Sequence, residues 1–214
     1  ELRVVDAKGA LGAARAAFLG TVRLGDLGYH ELRQFSGRAL EQLQAQQVPV
    51  RHLALTVHGP NFGLDEDEAV LALVGGLVEA FQRGVGPPEL ERVTFVEINT
   101  RRAQRLRKAI ERGLAHTPGV TALTAGWGYQ ILRQASFTAA PAMASAGQQS
   151  AAKPHAFVAM PFAAEMEDVF HYGILGPVRA AGLLCERVDQ AHFDGPIIQR
   201  IRERIDTAKV VIAD

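Results

Sequence analysis

The sequence has one cysteine, Cys185, and no excess of charge of either sign. A single thiol excludes an internal disulfide and a multi-cysteine metal site, and it suits a reducing compartment. Lysine plus arginine and aspartate plus glutamate each number 23, so no net charge attracts nucleic acid or an anionic membrane. No apolar stretch approaches the roughly 20 residues that span a bilayer. We therefore expect a cytoplasmic protein that binds neither a membrane nor a nucleic acid, with self-association left open.

Hydrophobic residues in the first 115 positions follow strand and helix periods in turn. Leu32, Phe35 and Leu43 recur at helical spacing, and Asp65 with Glu68 has the spacing of a capping box. The pattern predicts, in order, strands at Leu2–Val5 and Thr21–Leu24, a helix at Tyr29–Gln46, a strand at Arg51–His58, a helix after Asp65, a strand at Arg92–Ile98 and a helix from Thr100. This alternation indicates a parallel or mixed sheet covered by helices.

A change of composition divides the chain into two modules. The stretch Thr138–Ala152 is rich in small residues and has no hydrophobic period, which is typical of a linker. We therefore predict a first α/β domain over residues 1–130, a flexible linker over 131–153 and a second module over 154–214.

The second module has the pattern of three strands joined by two helices. The predicted strands are Ala156–Phe162, Leu184–Val188 and Lys209–Ala213. The helix between the first two is expected to be irregular around Gly173, Gly176 and Pro177. Right-handed crossovers make the strands parallel, and we expect the flavodoxin-type order 2-1-3. The predicted fold class is thus α/β, with two three-layer modules of mostly parallel sheets, the second incomplete at Asp214.

The first candidate site is the loop from Gly59 to Gly63, which lies between a strand and a capped helix. Glycine allows backbone N–H groups to turn toward an anion, and a helix N-terminus adds a favourable field for phosphate. Asp65 argues the other way, because its carboxylate would already accept hydrogen bonds from those donors. The residues alone leave two interpretations open, a phosphate-binding loop and a tight strand-to-helix turn.

The run His52-Leu-Ala-Leu-Thr-Val-His-Gly-Pro-Asn-Phe-Gly-Leu-Asp-Glu-Asp-Glu-Ala resembles the second phosphate-loop segment of macro domains. It is also similar to the macro-like N-terminal domains of leucyl aminopeptidases. The resemblance implies binding of ADP-ribose or a related nucleotide, with Gly59, Asn61, Phe62 and Gly63 cradling a diphosphate. The chain lacks the Asn-rich loop that follows an early strand in that family. We therefore expect ligand sensing, or a structural role, rather than removal of ADP-ribose.

The second candidate site lies at the carboxyl ends of the strands in the second module. Ligands of an open parallel sheet bind beyond those ends, where the strand order reverses. For the order 2-1-3 that point lies between the first and third strands. The residues expected there are Met160, Pro161, Phe162, Asp189 and Asp214, with a carboxylate as acceptor for a ribose hydroxyl. Asp194 is more typical of a helix cap, because Gly195-Pro196 follows it.

Residues 157–162, 185–189, 201–205 and 210–214 resemble segments of bacterial TIR-like and nucleoside 2-deoxyribosyltransferase-like domains. The resemblance implies cleavage of the N-glycosidic bond of NAD or of a nucleoside. In those families the catalytic Glu comes after the strand-end aspartate, in a segment that would follow Asp214, and Glu186 does not match it. The catalytic residues are therefore unknown, and we expect this chain alone to be inactive.

Together, the two resemblances imply a bacterial nucleotide-sensing hydrolase that cleaves NAD or a nucleoside in defence, with this chain lacking the catalytic segment. The alternatives are a non-catalytic nucleotide-binding or assembly module and a nucleoside deoxyribosyltransferase. The expected partner is a small-molecule nucleotide, NAD or an ADP-ribose-like compound, bound as substrate or ligand without a further cofactor. We expect no metal, because the histidines lack ligand spacing. The arginine-rich stretch from Arg101 to Arg112 is expected to be a solvated helix face.

Overall fold

A computed structural model describes residues 1–9, 11–23, 26–133, 141–161, 163–187 and 197–214, without the side chains of Asn61, Pro141, Ile197 and Arg200. The fold is α/β. Its strands are β1 (Leu2–Asp6), β2 (Arg15–Leu19), β3 (His52–Thr56), β4 (Arg92–Val96), β5 (Val120–Ala122), β6 (Tyr129–Ile131), β7 (His155–Ala159), β8 (Leu184–Arg187) and β9 (Val210–Ala213).

The helices alternate with these strands. The α-helices are α1 (Tyr29–Ala45), α2 (Glu66–Gln82), α3 (Thr100–Leu114), α4 (Pro141–Ser145), α5 (Gly176–Ala180) and α6 (Ile197–Thr207). Short 3-10 turns lie at Pro60–Phe62, Ser150–Ala152 and Ala164–Met166, and a π-helix lies at Val169–Leu175. Within the described ranges, no helix is long and apolar enough to cross a membrane.

We call the described residues 1–133 and 141–153 the N-terminal half, although they make up more than half of the chain. Helix α2 organises this part, because almost the whole surface of the helix is buried. Asp65 caps the helix as the sequence predicts, since its side chain accepts hydrogen bonds from the amides of Asp67 and Glu68. Strands β3 and β4, which flank α2 in the chain, pair in parallel and make a crossover unit with it. Helices α1 and α3 pack against α2, and their side chains share one apolar core that includes Leu32 and Leu106.

The strands of this half form two-stranded sheets rather than one wide sheet. β1 and β2 are antiparallel, β3 and β4 are parallel, and β5 and β6 are antiparallel. The strand predicted at Thr21–Leu24 was misplaced, because β2 lies at Arg15–Leu19, where it pairs with β1. The alanine-rich segment has weak strand propensity, but the partner strand supplies its hydrogen bonds, and such pairing commonly outweighs propensity.

The segment 141–153 differs from the flexible linker expected from its composition. Met143 and Ala146 are fully buried, and they pack in the core with α2 and α3. Arg33 of α1 donates hydrogen bonds to the carbonyl groups of both residues, which satisfies carbonyls at the end of α4. Small side chains lack a hydrophobic period, yet they fit close to a helix surface. Residues 134–140 lie outside the described part of the chain.

We call the described residues from 154 to 214 the C-terminal half. This part is built on the three-stranded parallel sheet that the sequence predicts. Its order is β8-β7-β9, which is the predicted order 2-1-3 for these three strands. The irregularity predicted in the helix after β7 is also confirmed, because the segment passes from a 3-10 turn through the π-helix into α5. The helix cap predicted at Asp194 lies outside the described residues.

Helices α1 and α2 approach most closely at two glycines of α2. A Cβ atom on Gly76 would overlap the carbonyl oxygen of Arg33 and the hydroxyl group of Ser36. A Cβ atom on Gly75 would overlap the guanidinium group of Arg33. Ser36 also donates a hydrogen bond of 2.6 Å to the carbonyl of Leu73, so this contact joins the two helices through polar atoms.

Replacing Gly76 with alanine tests this close packing. Alanine normally stabilises a helix interior by about 1 kcal/mol relative to glycine. Here the new methyl group meets backbone, so we expect G76A to lower the free energy of unfolding by about 2 kcal/mol, measured by urea denaturation. The matched control is G173A in the π-helix, where a Cβ atom would have no atom within 4 Å beyond its chain neighbours and the backbone of its own helix. Equal effects of the two substitutions would contradict the proposed packing.

Candidate functional site

The two halves of the chain meet at the N-terminus of α2, around the buried carboxylate of Asp65. Besides capping α2, this carboxylate accepts a hydrogen bond of 3.0 Å from the amide of Cys185 in β8. Arg179 of α5 donates to both carboxylate oxygens, at 3.2 and 3.3 Å. Arg179 also pairs with Asp67 at 3.1 Å. One buried acidic side chain therefore joins α2 to α5 and β8.

A second buried polar link runs through Tyr29 at the start of α1. Its hydroxyl donates to Glu186 in β8 at 2.8 Å and accepts a bond of 2.7 Å from the amide of Asp65. Burial, followed by the charges of Glu186 and Asp65, raises the pKa of Tyr29 well above its usual value, so the hydroxyl keeps its proton. Glu186 also lies 3.3 Å from Arg204 of α6. Glu186 is therefore held between Tyr29 of α1 and Arg204 of α6, where the two halves meet.

Glu68 does not complete the predicted capping box. The amide of Asp65, which the box would bond to Glu68, donates to Tyr29 instead. The carboxylate of Glu68 accepts hydrogen bonds from Ser150 and from Lys153, the latter at 2.7 and 2.9 Å. The first turn of α2 therefore also holds the segment 141–153 in place.

A polar cavity of about 320 Å³ lies between the two halves, and we call it the junction cavity. Its wall from the N-terminal half comes from the loops after β3 and β4 and from the starts of α2 and α3. Its wall from the C-terminal half comes from Glu167, from the π-helix and from β8. The ionisable side chains that line it are Glu66, Glu97, Arg102, Arg105, Glu167, His171, Cys185 and Arg187.

The arginines of the N-terminal wall are held by two glutamates. Arg102 lies 2.9 Å from Glu97 and 3.3 Å from Glu66. Arg105 makes a two-point contact with Glu66, through bonds of 2.8 and 3.2 Å. Arg102 is only 16 % exposed, so the prediction that this arginine stretch is a solvated face is wrong for its cavity side.

The C-terminal wall has a similar set of paired groups. Arg187 bonds to Glu167 at 2.9 Å and lies 4.0 Å above the centre of the Phe170 ring. Burial opposes ionisation of Glu167, but pairing with Arg187 outweighs it and lowers the pKa of Glu167. His171 lies 3.1 Å from Glu167. Burial, followed by the charge of Arg105, lowers the pKa of His171, so its ring is neutral at pH 7.

Cys185 does not supply a nucleophile to the junction cavity. Burial raises the pKa of its thiol to about 12, with a further contribution from the charge of Asp65. A thiol with that pKa is fully protonated at neutral pH, and the thiolate is the reactive form. The prediction that Cys185 belongs to the core is confirmed, because it packs with Val158 and Val178.

The loop from Gly59 to Gly63 is a tight turn in which the amides of Phe62 and Gly63 donate within the turn. Gly59 and Gly63 have φ angles of 102° and 94°, which favour glycine. The amides of Phe62 and Leu64 donate to the carbonyl of Gly59, and the amide of Gly63 donates to the carbonyl of Pro60. These donors face the loop itself, so the diphosphate cradle inferred from the macro-domain resemblance is not formed by them. The side chain of Asn61 lies outside the description.

Phe62 lines a different, mainly apolar cavity of about 170 Å³. Phe35 and His58 stand edge to face in its wall, with ring centres 5.6 Å apart. Burial lowers the pKa of His58, which keeps its imidazole ring uncharged at neutral pH. The loop therefore contributes an aromatic side chain to an apolar pocket.

The strand-end site predicted in the second module is brought together in part. Asp214 follows β9, and its amide donates to the carbonyl of Ala159 at the end of β7, so Asp214 lies beside Met160. The side chain of Met160 packs in the core, and Pro161 is exposed. Phe162 and Asp189 lie outside the described residues. Among the described residues, no group of three or more histidine, cysteine or acidic side chains is placed to hold a metal.

The chain matches no protein-family model, no curated protein and no solved structure in the comparisons made. The likeness to macro domains and to TIR-like domains therefore stays a prediction from sequence motifs. The sequence did not predict the junction cavity, because residues far apart in the chain come together to form it. A signal was present in α3, where Arg102 and Arg105 are three positions apart and thus share one helix face.

Removing the Asp65 carboxylate should separate the effect of the junction from that of an ordinary helix cap. D65A removes the cap of α2 and leaves the Cys185 amide without its acceptor, so we expect a loss of about 3 kcal/mol in unfolding free energy. The matched control is N99A, because Asn99 caps α3 through a single bond to the Arg102 amide. We expect N99A to cost about 1 kcal/mol. A similar cost for both, in urea denaturation, would remove Asp65 from its central role.

Asp67 gives the stability of the protein a pH dependence with a defined sign. Burial raises the pKa of Asp67 from 3.8 to about 6, although Arg179 and Arg112 oppose the change. The folded state therefore binds this proton more tightly, and the associated stability is present below pH 4 and is lost as the pH rises through 6. We expect wild type to lose about 2 kcal/mol relative to D67N between pH 4 and pH 7. Parallel stability profiles for the two proteins would exclude this role.

Proposed function

We propose that the chain binds a nucleotide in the junction cavity and is the recognition part of a protein that acts on NAD or on a nucleoside. The observation that carries the proposal is the placement of Arg102, Arg105, Arg187 and His171 around one cavity. Arginine presents a planar set of N–H donors that suits phosphate oxygens.

The position of the cavity in the fold supports the proposal. It lies at the carboxyl ends of the parallel strands β3, β4 and β8. At these ends the cavity is lined by Pro60, Glu97 and Arg187. Ligands of parallel α/β sheets bind in crevices at this edge. The volume of about 320 Å³ is within the range of small-molecule sites.

The same groups argue for binding rather than catalysis by this chain alone. Glu66, Glu97 and Glu167 are each held in ion pairs with arginine, so their carboxylates are already engaged within the cavity wall. The Cys185 thiol stays protonated. We therefore expect no release of nicotinamide when the 214-residue chain is incubated with NAD.

The test is a titration with ADP-ribose by isothermal calorimetry. R105Q removes a cation from the cavity wall, and we expect its dissociation constant to be about tenfold higher than that of wild type. R107Q on the same helix is the matched control, because Arg107 pairs with Glu111 and lies over Trp127, apart from the cavity. It should bind as wild type does. Absence of binding by wild type, or equal losses in both variants, would reject the proposal.

A further inference from the structure

We propose that the apolar cavity lined by Phe62 binds a small aromatic carboxylate, with the ring among apolar side chains and the carboxylate at Arg38. We call this cavity the aromatic pocket. It lies between α1, the segment before α1 and the loop after β3. The described residues that line it all differ from those that line the junction cavity, so this site goes beyond the proposed function.

Apolar side chains form the bottom and most of the sides of the aromatic pocket. Leu27 and Leu32 are buried, so they close its inner end. Phe35 and Phe62 are partly buried and pack against the core, so they form its sides. Val22 is 39 % exposed, which places it near the open end. A ligand can therefore enter from solvent, and an apolar one gains free energy because it removes apolar surface from water.

The size of the pocket and the geometry of its walls favour a single aromatic ring. The volume is about 170 Å³. A cavity of about 150 Å³ lined by apolar side chains is large enough to bind one benzene molecule. Phe35 and His58 already stand edge to face, with ring centres 5.6 Å apart. A ligand ring beside them can make the edge-to-face or offset contacts that aromatic rings prefer.

Arg38 provides a cation that a ligand can reach. Its side chain is exposed, and its guanidinium group donates to the carbonyl of Gly20 at 3.3 Å. No carboxylate of the described residues pairs with it, in contrast to the arginines of the junction cavity. A guanidinium group carries five N–H donors, so Arg38 keeps donors for a ligand carboxylate, which it can bind at two points.

The acidic side chain of the pocket lies toward its other end. The carboxylate of Glu31 accepts a hydrogen bond of 3.0 Å from the amide of Gly28, at the start of α1. Arg38 follows on the same helix face, about 10 Å further along the axis. A carboxylate bound at Arg38 therefore stays apart from Glu31. The two side chains predict opposite preferences, because Glu31 would favour an amine where Arg38 favours an acid.

The experiment is a titration of the full 214-residue chain with phenylacetate, benzylamine and acetate, followed by NMR of its methyl groups. Phenylacetate and benzylamine share one ring and one methylene group and differ in the sign of their charge. We expect phenylacetate to bind at least about tenfold more tightly than benzylamine or acetate. Its ring should shift the methyl signals of Val22, Leu27 and Leu32 and leave those of Val158, in the C-terminal half, unchanged.

Substitution of Arg38 tests the cation. R38Q should weaken phenylacetate binding by about tenfold, because a charge-assisted hydrogen bond is lost. The matched control is R83Q, since Arg83 is also exposed but pairs with Glu41 at 3.0 Å and does not line the aromatic pocket. R83Q should bind phenylacetate as wild type does.

Three results would overturn the inference. They are unchanged methyl signals of Val22, Leu27 and Leu32 with phenylacetate, equal or tighter binding of benzylamine, and equal losses in R38Q and R83Q. The titration with ADP-ribose is a separate measurement on a separate cavity. Failure of the aromatic pocket to bind phenylacetate would therefore leave the proposed function in place, and failure of ADP-ribose to bind would leave the aromatic pocket in place.

Discussion

The carboxylate of Asp65 is buried, and it accepts hydrogen bonds from both halves of the chain. A buried carboxylate is strongly destabilising unless several donors surround it. Here the amides at the start of α2 supply some of those donors, and Cys185 and Arg179 supply the others. Neither half satisfies Asp65 alone, so the N-terminus of α2 fixes where β8 and α5 must lie. The junction cavity exists because the two halves meet at this point.

The link between docking and binding follows from the position of the cavity. Arg102 and Arg105 belong to the N-terminal half, whereas His171 and Arg187 belong to the C-terminal half. A ligand that contacts both walls binds only when the halves are docked. It therefore stabilises the docked state, in proportion to the logarithm of its concentration over its dissociation constant. Such linkage is reciprocal, so in the proposed function a change that strengthens the Asp65 junction would also strengthen ligand binding.

Local signals in the sequence were sufficient for most helices and for the C-terminal sheet. The Asp65 cap, the hydrophobic period of α1 and the glycines of the segment after β7 act within a few residues of their own positions, and each prediction is confirmed. The parallel direction of β8, β7 and β9 follows from chain connectivity and crossover handedness, and their order is the expected flavodoxin-type order 2-1-3. The strand Arg15–Leu19 and the packed segment 141–153 were missed because distant partners, not their own composition, define them.

The candidate site was harder to predict than the fold, because Asp65 acts on it in two ways. Its carboxylate occupies the amides at the start of α2, and it also holds β8 close to α2. The sequence showed that an acidic cap competes with phosphate for the amides at the start of α2, and the structure confirms that Asp67 and Glu68 donate to it. It did not show that the same carboxylate would draw β8 close and enclose Arg102 in a cavity wall. In the proposed site, anion binding therefore falls to guanidinium groups of the cavity wall rather than to these backbone amides. The cavity brings together residues more than 60 positions apart, such as Arg105 and His171, which neither spacing nor periodicity can reveal.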